Sequence, residues 1–523
     1  MQRRISEPAT HDVVIVGGGH NALVASAYLA RAGLSVVVLE RLDHVGGAAV
    51  SERPWAGVDA RLSRYSYLVS LLPPRIIDDL GLDIRLLRRR YSSYTPDPAA
   101  PERGILVDTQ DAAATAASFL RVTGDAGEAR RFAAFSARLA PLARTVFPTM
   151  TDPLPTASAL RARVGDDALW DAVVHQPLGA LLRDSLDTDI ARGIALTDGL
   201  IGTFATADET SLRQNRCFLY HVIGGGTGDW DVPVGGMGKV TAELERAARA
   251  AGAEIRTGVT VTAVTPDGEV TTGTGTLRGR LVLSGVGPAV LADLLGEGAA
   301  TGPEGAQVKV NMLLTRLPRL RDDRVDPAAA FAGTFHINET MTQLDAAHAR
   351  AASGAIPDPL PAEIYCHSLT DPTILGARLR SSGAQTLTLF GLHVPHRIVA
   401  GGDNEALRAE LLAAAQRSLD SVLAESIEDC LYEAADGGPC IEARTTEDLQ
   451  DSLAMRGGDI FHGALSWPWL DADADPATPA ERWGVATAHD RILVCGSGAQ
   501  RGGAVSGVGG HNAASAALEI LHG

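Results

Sequence analysis

The chain is short of several things, and each shortage removes a class of function. It has five cysteines, Cys217, Cys366, Cys430, Cys440 and Cys495, and none forms a C-x-x-C or similarly close pair. That excludes a dithiol redox centre and leaves a zinc site without support. Basic residues are outnumbered 46 to 63, for a net charge of -17. A nucleic-acid partner calls for the opposite sign, so the surface reads as soluble and self-repelling. No stretch approaches the roughly 18 uninterrupted apolar residues of a membrane span, although a peripheral membrane contact stays open. The opening segment MQRRISEPATHD has no apolar core, so no secretory signal is read there and the expected location is cytoplasmic. No repeat of solenoid length is visible, and neither a Ser-His-Asp order nor a metal-ligand cluster stands out.

What is present begins with size. The 523 residues are too many for one core, so two or more domains are expected. Glycine is abundant, at 56 residues, which suggests many close backbone approaches and left-handed turns.

The most informative stretch is VVIVGGGHNALVASAYLARAGLSVVVLERLDHVGG, Val13 to Gly47. His11–Val16 reads as a buried strand, Asn21–Ala32 as a helix closed by Gly33, and Ser35–Leu39 as a second buried strand. This is the β-α-β context that makes a glycine motif meaningful. Gly17 makes the tight turn, Gly19 lets backbone approach a pyrophosphate, and that group sits at the positive end of the helix with His20 and Asn21. The third glycine of the usual motif is Ala22, which is small enough for helix–strand contact. Glu40 ends the second strand, where a carboxylate accepts ribose hydroxyls and disfavours a 2′-phosphate, so NADP is unexpected. Arg41, Gly46, Gly47 and Ala48 follow. No second G-x-G-x-x-G has a convincing strand–turn–helix setting, so no dedicated NAD domain is expected.

Further along, Asp111–Thr145 and Leu160–Leu196 are alanine-rich with helical spacing and read as a helical insertion capping the substrate side. Val240–Ala251 reads as a helix stopped by Gly252, followed by strands through Glu254–Val264 and the run LRGRLVLSGVGP. QVKVNMLLTRL alternates, which puts Lys309 and Asn311 on one face of a strand and Val308 and Val310 on the other. Near the end, Ile492–Cys495 reads as a buried strand, Gly496–Gly510 as a long glycine loop, and Asn512–Leu521 as a helix whose N-terminus stabilises negative charge.

The second glycine pair, Gly46–Gly47, is similar to the extended FAD motif of glutathione-reductase-like flavoproteins. With PVGGMG (Pro233–Gly238), MRGGDIFHGALS (Met455–Ser466) and CGSGAQRGGAVSGVGGHNAA near the C-terminus, the chain resembles the phytoene desaturase-like FAD oxidoreductases of the flavin amine oxidase superfamily. Within them it resembles the branch named for a pyridine nucleotide-disulphide oxidoreductase domain, a name that no cysteine pair here supports. The resemblance spans nearly the whole chain but carries little of Ser92–Gln214. It implies an α/β glutathione-reductase-like two-domain FAD fold. A Rossmann-type FAD domain would be assembled from 1–75, 225–300 and 485–523. A mixed-sheet substrate domain with a helical cap would come from 76–224 and 301–484. It implies FAD contacts at Gly17, Gly19, His20, Asn21, Ala22, Glu40, Arg41, Gly46, Gly47, Ala48, Val261, Gly496, Ser497, Gly503 and Val508, with the Val261 backbone near the adenine. Two departures stand out. The family's loop reads G-T-H-P-G-G-G-V, whereas Gln500 and Arg501 replace its His and Pro here, and Trp467-Pro468-Trp469 is an unusual continuation after FHGALS.

The candidate catalytic residues are Lys309, His462, Gln500 and Arg501. Lys309 is similar in placement to the lysine that many flavin amine oxidases hold beside the flavin; the other reading is a solvated or ion-paired lysine. His462 reads as structural or as an acid/base. Arg501 reads as binding an acidic substrate or offsetting flavin charge, or as a surface or phosphate contact. Trp467 and Trp469 read as pocket or as core. The expected function is an FAD-dependent desaturase, dehydrogenase or oxidase that removes two hydrogens from a C–C or C–N bond of a hydrophobic small molecule. Oxygen, a quinone or another acceptor would take the electrons. The rival readings are a redox-neutral isomerase or cyclase, a flavin-free escort protein of the GDP dissociation inhibitor type, and an NAD-dependent dehydrogenase.

Overall fold

The computed structural model describes residues 10–298 and 304–522. Residues 1–9 of the N-terminal segment read above and the expected boundary at 300/301 lie outside them. The first sheet is gathered from distant parts of the chain. Five strands run parallel in the order Glu254–Arg256, Val36–Leu39, His11–Val16, Gly275–Ser284, Ile492–Val494. Glu269–Thr272 extends the sheet antiparallel to the start of Gly275–Ser284, and Val261–Val264 pairs antiparallel with Glu269–Thr272 in turn. Val13, Val14, Ile15 and Val37 are fully buried, as the unbroken β-branched runs require of a parallel sheet covered on both faces.

Helix His20–Arg31 lies on this sheet, and the C-terminal helix Val508–His522 crosses against it. The sequence places the start of that last helix four residues later. Gly509 and Gly510 belong to its first turn instead of the loop, because glycine there serves close approach. A Cβ on Gly510 would stand 1.9 Å from the Asn21 carbonyl oxygen, and one on Gly509 would stand 2.6 Å from that of Gly496. Gly510→Ala is therefore expected to push the two helices apart, at a cost of about 1–3 kcal/mol by overpacking. A chemical denaturation curve checks it, and wild-type stability would show that the helices are not held this close.

Ala22 has a similar explanation. It is buried, and a Cβ on Gly285, in the turn that follows the strand to Ser284, would lie 3.2 Å from its own Cβ. A small residue is needed at this crossing, and alanine meets the need.

The second sheet is mixed, in the order Ile441–Arg444, Ala306–Leu314, Gln385–Pro395, Ala362–Tyr365, Thr334–Ile337, Tyr91–Asp97, Ala100–Asp108. Every residue of Ala306–Leu314 is buried. Val308, Val310, Met312 and Leu314 enter an apolar core behind the sheet, which turns Gln307, Lys309 and Asn311 to the other face. Between the two sheets in the chain, helices from Ala112 to Val222 form a further apolar core. Among the described residues, no helix is long and apolar enough to cross a membrane.

Candidate functional site

One cavity of about 610 Å³ joins the first sheet, the helical block and the second sheet. Its size falls within the usual range for small-molecule and cofactor sites. At one end lie Val16–Ala22, Glu40–Leu42, Gly47, Ala48 and Val259–Val261. Further in come Gly285–Gly287, Lys309, His462, Gly496, Ser497, Ala504 and Val505. Phe132, Phe135, Ile194 and Phe218 of the helical block supply an apolar wall, which is where a cap over the substrate side was expected.

The glycine turn is built as a cradle. Gly17 has φ +91° and donates to the Leu39 carbonyl at 2.8 Å, so strand, turn and second strand are fastened together. A Cβ on Gly19 would meet nothing within 4 Å, so this position looks onto open cavity. Gly19 caps helix His20–Arg31 without a side-chain hydrogen bond, and the amides of the first helical turn have no intrahelical acceptor. Glu40 is buried, and its carboxylate accepts from the Gly18 amide at 2.7 Å and the Leu42 amide at 2.8 Å. Gly46 (φ +120°) does not line the cavity. Its amide donates to the Gly18 carbonyl at 2.8 Å and so braces the turn from behind.

Two polar atoms in this cradle lack partners among the described residues: His20 Nε2 and Asn21 Oδ1. Both side chains are buried, and such atoms are costly to leave unmade. Burial depresses the His20 imidazole to about 4, with His462 adding repulsion, so it is neutral at pH 7. Open space at Gly19, free helix amides, a carboxylate at the end of the second strand and unpartnered buried donors and acceptors together fit a dinucleotide. The same cavity continues to the second sheet, which fits a cofactor with a reactive far end, and FAD meets both conditions.

Lys309 reaches the cavity from the second sheet. Its ammonium donates to the carbonyls of Ser63 (2.8 Å) and Tyr65 (2.5 Å) and lies 4.7 Å from the Tyr67 ring centroid. Burial holds it well below the ordinary lysine value, partly opposed by Glu442. His462 sits in the left-handed region at φ +61°, and burial depresses it to about 4. Its Nδ1 lies 3.2 Å from where a Gly287 Cβ would be.

The other candidates lie outside the cavity. Gly503 (φ +90°) turns the chain beside Leu465, and Val508 is buried in the apolar core of the helical block. Gln500 and Arg501 face backbone. Gln500 Nε2 donates to the carbonyls of Trp467 (3.2 Å) and Trp469 (2.9 Å). Arg501, 2% exposed, donates to the carbonyls of Met150 (3.2 Å), Asp152, Pro153 (3.4 Å) and Pro468 (3.3 Å). Burial lowers its guanidinium to about 10. The two departures from the family pattern are thus one feature: Gln500 and Arg501 fasten Trp467-Pro468-Trp469. The tryptophans stack on each other at 5.2 Å, and Trp469 packs on Trp170 in the core.

Sequence reasoning did not single out the acceptors at the far end of the cavity, Asp198, His336 and Glu363. His336 Nδ1 is 2.5 Å from Oε2 of the fully buried Glu339, and Tyr365 donates to Glu363. Burial raises Glu363 to about 7 and Asp198 to about 6, with His336 pulling both down and Glu339 adding repulsion at Glu363. His336 and Glu339 are too close to hold an ion between them, since tetrahedral ligands at about 2.0–2.1 Å stand more than about 3 Å apart. The contact is a hydrogen bond. The one available signal was a polar residue at alternate positions in otherwise apolar strands, Thr-Phe-His-Ile from Thr334 and Ala-Glu-Ile-Tyr from Ala362.

Against known proteins, residues 15–74 match the NAD(P)-binding Rossmann-like domain. The chain is 57% identical to an uncharacterized protein of Mycobacterium tuberculosis, over 98% of this chain and 97% of that one. It is 28% identical to pyridine nucleotide-disulfide oxidoreductase domain-containing protein 2 of Rattus norvegicus, over 96% of this chain and 92% of the relative. This chain belongs to one family with that mycobacterial protein. The rat protein's name speaks of disulfide, yet all five cysteines here are free and buried. In fold, the chain is similar to cyclohexylamine oxidase from Brevibacterium oxydans IH-35A, with a TM-score of 0.56 at 15% identity. That likeness covers 99% of this chain and all (100%) of the other, so the α/β architecture with a Rossmann-type domain and a mixed sheet expected from the sequence is the one found.

Proposed function

We propose that the protein is an FAD-dependent oxidoreductase that removes two hydrogens from a C–C or C–N bond of a largely hydrophobic small molecule. The observation that carries this is the unbroken cavity from the Gly17–Ala22 cradle to the buried Lys309 and the apolar wall of Phe132, Phe135 and Phe218. In this reading 1–75, 225–300 and 485–523 make the FAD domain, and 76–224 with 301–484 make the substrate domain. Gly17, Gly19, Asn21, Ala22 and the first-turn amides would hold the pyrophosphate, Glu40 the ribose, and Val261 the adenine end. FAD bound there supplies a hydride acceptor.

The chain's own residues would do the rest. The helical block excludes water over the apolar wall. Lys309, fixed by two carbonyls and stripped of solvent, would hold or move a proton at its Nζ. His462 and His20, both neutral at pH 7, would accept or donate one hydrogen bond each without adding charge. Arg501 takes no part in this reading, since its donors are occupied.

The first test is colour: purified protein that lacks flavin absorbance refutes the assignment. The second is anaerobic bleaching against a panel of amines, polyenes and acyl compounds, followed by oxygen. Lys309→Met is expected to retain flavin while slowing reduction or reoxidation on the order of 10²-fold, the lower end for a positioned acid–base group. Stopped-flow absorbance reads it, and unchanged rates remove Lys309 from the chemistry.

A further inference from the structure

A single row of side chains crosses the second sheet at facing positions of five neighbouring strands. Arg444 faces Lys309, Lys309 faces Phe390, Phe390 faces Glu363, and Glu363 faces His336. All five line the cavity. The row has a direction, with cations at one end, an aromatic ring in the middle and acceptors at the other. With strands about 4.8 Å apart, Lys309 and His336 stand about 14 Å from each other across three spacings.

The acceptor end is short of donors. His336 Nδ1 is engaged by Glu339, which orients the ring and leaves Nε2 as its free nitrogen. Glu363 has the Tyr365 hydroxyl, and Asp198 reaches the same end from the helical block. Among the described residues, neither Asp198 nor Glu363 forms an ion pair with any lysine or arginine, and Glu339 pairs only with His336. Arg89 lines the same wall, but it donates to the Trp230 carbonyl and Thr334 Oγ1 and lies over the Tyr365 ring. Glu339 Oε1 is buried with no hydrogen-bond partner among the described residues. Enclosed carboxylates demand hydrogen bonds or a counter-charge, and the protein supplies too few.

We propose that Asp198, His336 and Glu363 form a distal subsite for a hydrogen-bond-donating terminus of the substrate, a hydroxyl or an ammonium. The substrate would then carry two functional ends, one oxidised near Lys309 and one read by this subsite, with an apolar body between them on Phe390. The assignment of the oxidised end rests on the function proposed above.

The test uses the flavin-loaded protein and reads binding by calorimetry, with no turnover needed. The probes are octylamine, octan-1-ol, octane and octanoate. Octylamine or octan-1-ol is expected to bind at least tenfold more tightly than octane, and octanoate more weakly than either. Glu363→Gln and His336→Asn should erase that preference while octane binding stays the same, with flavin content and melting temperature confirming the fold. A preference for amine over alcohol that disappears in Glu363→Gln identifies an ammonium, whereas equal amine and alcohol binding identifies a hydroxyl. Equal binding of all four probes, or a preference unchanged in both variants, overturns the subsite. Failure of the flavin reading shows separately, as colourless protein or an unaffected Lys309→Met.

Discussion

Glu40→Ala protein is expected to purify largely without flavin. In the folded protein both Glu40 oxygens accept backbone amides, from Gly18 across the glycine turn and from Leu42 in the loop beyond the second strand. The carboxylate therefore does two jobs. It clamps the turn against the end of the strand, and it offers its remaining lone pairs to the cavity it lines. Alanine removes the clamp and the acceptor together. Hydrogen bonds to a charged group contribute about 1.5–3 kcal/mol each, so losing two weakens the cofactor site on the order of 10²-fold or more. The flavin-to-protein absorbance ratio of the purified variant measures this. Glu40→Gln is the informative companion: it keeps one acceptor oxygen and should retain partial occupancy. Full occupancy in the alanine variant would mean that the ribose contact lies elsewhere.

The second large effect is expected at Arg501, and it is one of stability. Arg501→Ala takes the guanidinium donor from four backbone carbonyls, those of Met150, Asp152, Pro153 and Pro468, of which Met150 keeps the Asn512 amide and Pro468 is buried. A buried acceptor left unmade costs about 1–3 kcal/mol, so the variant should lose about 1–3 kcal/mol from Pro468 alone, with lost packing of the buried side chain in addition. Denaturant unfolding of the flavin-loaded protein checks it. Substrate preference, ranked by anaerobic bleaching, should not change, because the side chain does not reach the cavity. A shifted preference at unchanged stability would return Arg501 to the substrate site.

Much of the cofactor end was legible before any coordinates. A parallel strand covered on both faces must be an apolar run, a tight turn onto a helix needs glycine, and an acid at the end of the second strand has a known geometry. Those are local rules, and Val13–Glu40 obeys all of them. The start of the last helix was misplaced for the converse reason. Gly509 and Gly510 look like loop residues locally, but a crossing against Asn21, nearly five hundred positions away, makes them helical.

The reach of the chain explains what remained hidden. Gln500 and Arg501 seemed to mark a substrate site because they break a pattern, yet their partners, the carbonyls around Met150 and Trp467–Trp469, are backbone atoms that no residue type announces. Arg444, Lys309, Phe390, Glu363 and His336 come from five segments, and strand order alone places them in one row. The sequence by itself determined the dinucleotide turn, its acid and the strand that carries Lys309, because each depends on neighbours within a few turns of chain. Only the tertiary structure decided which polar residues meet across the cavity, because sheet register is set by contacts between strands far apart in sequence.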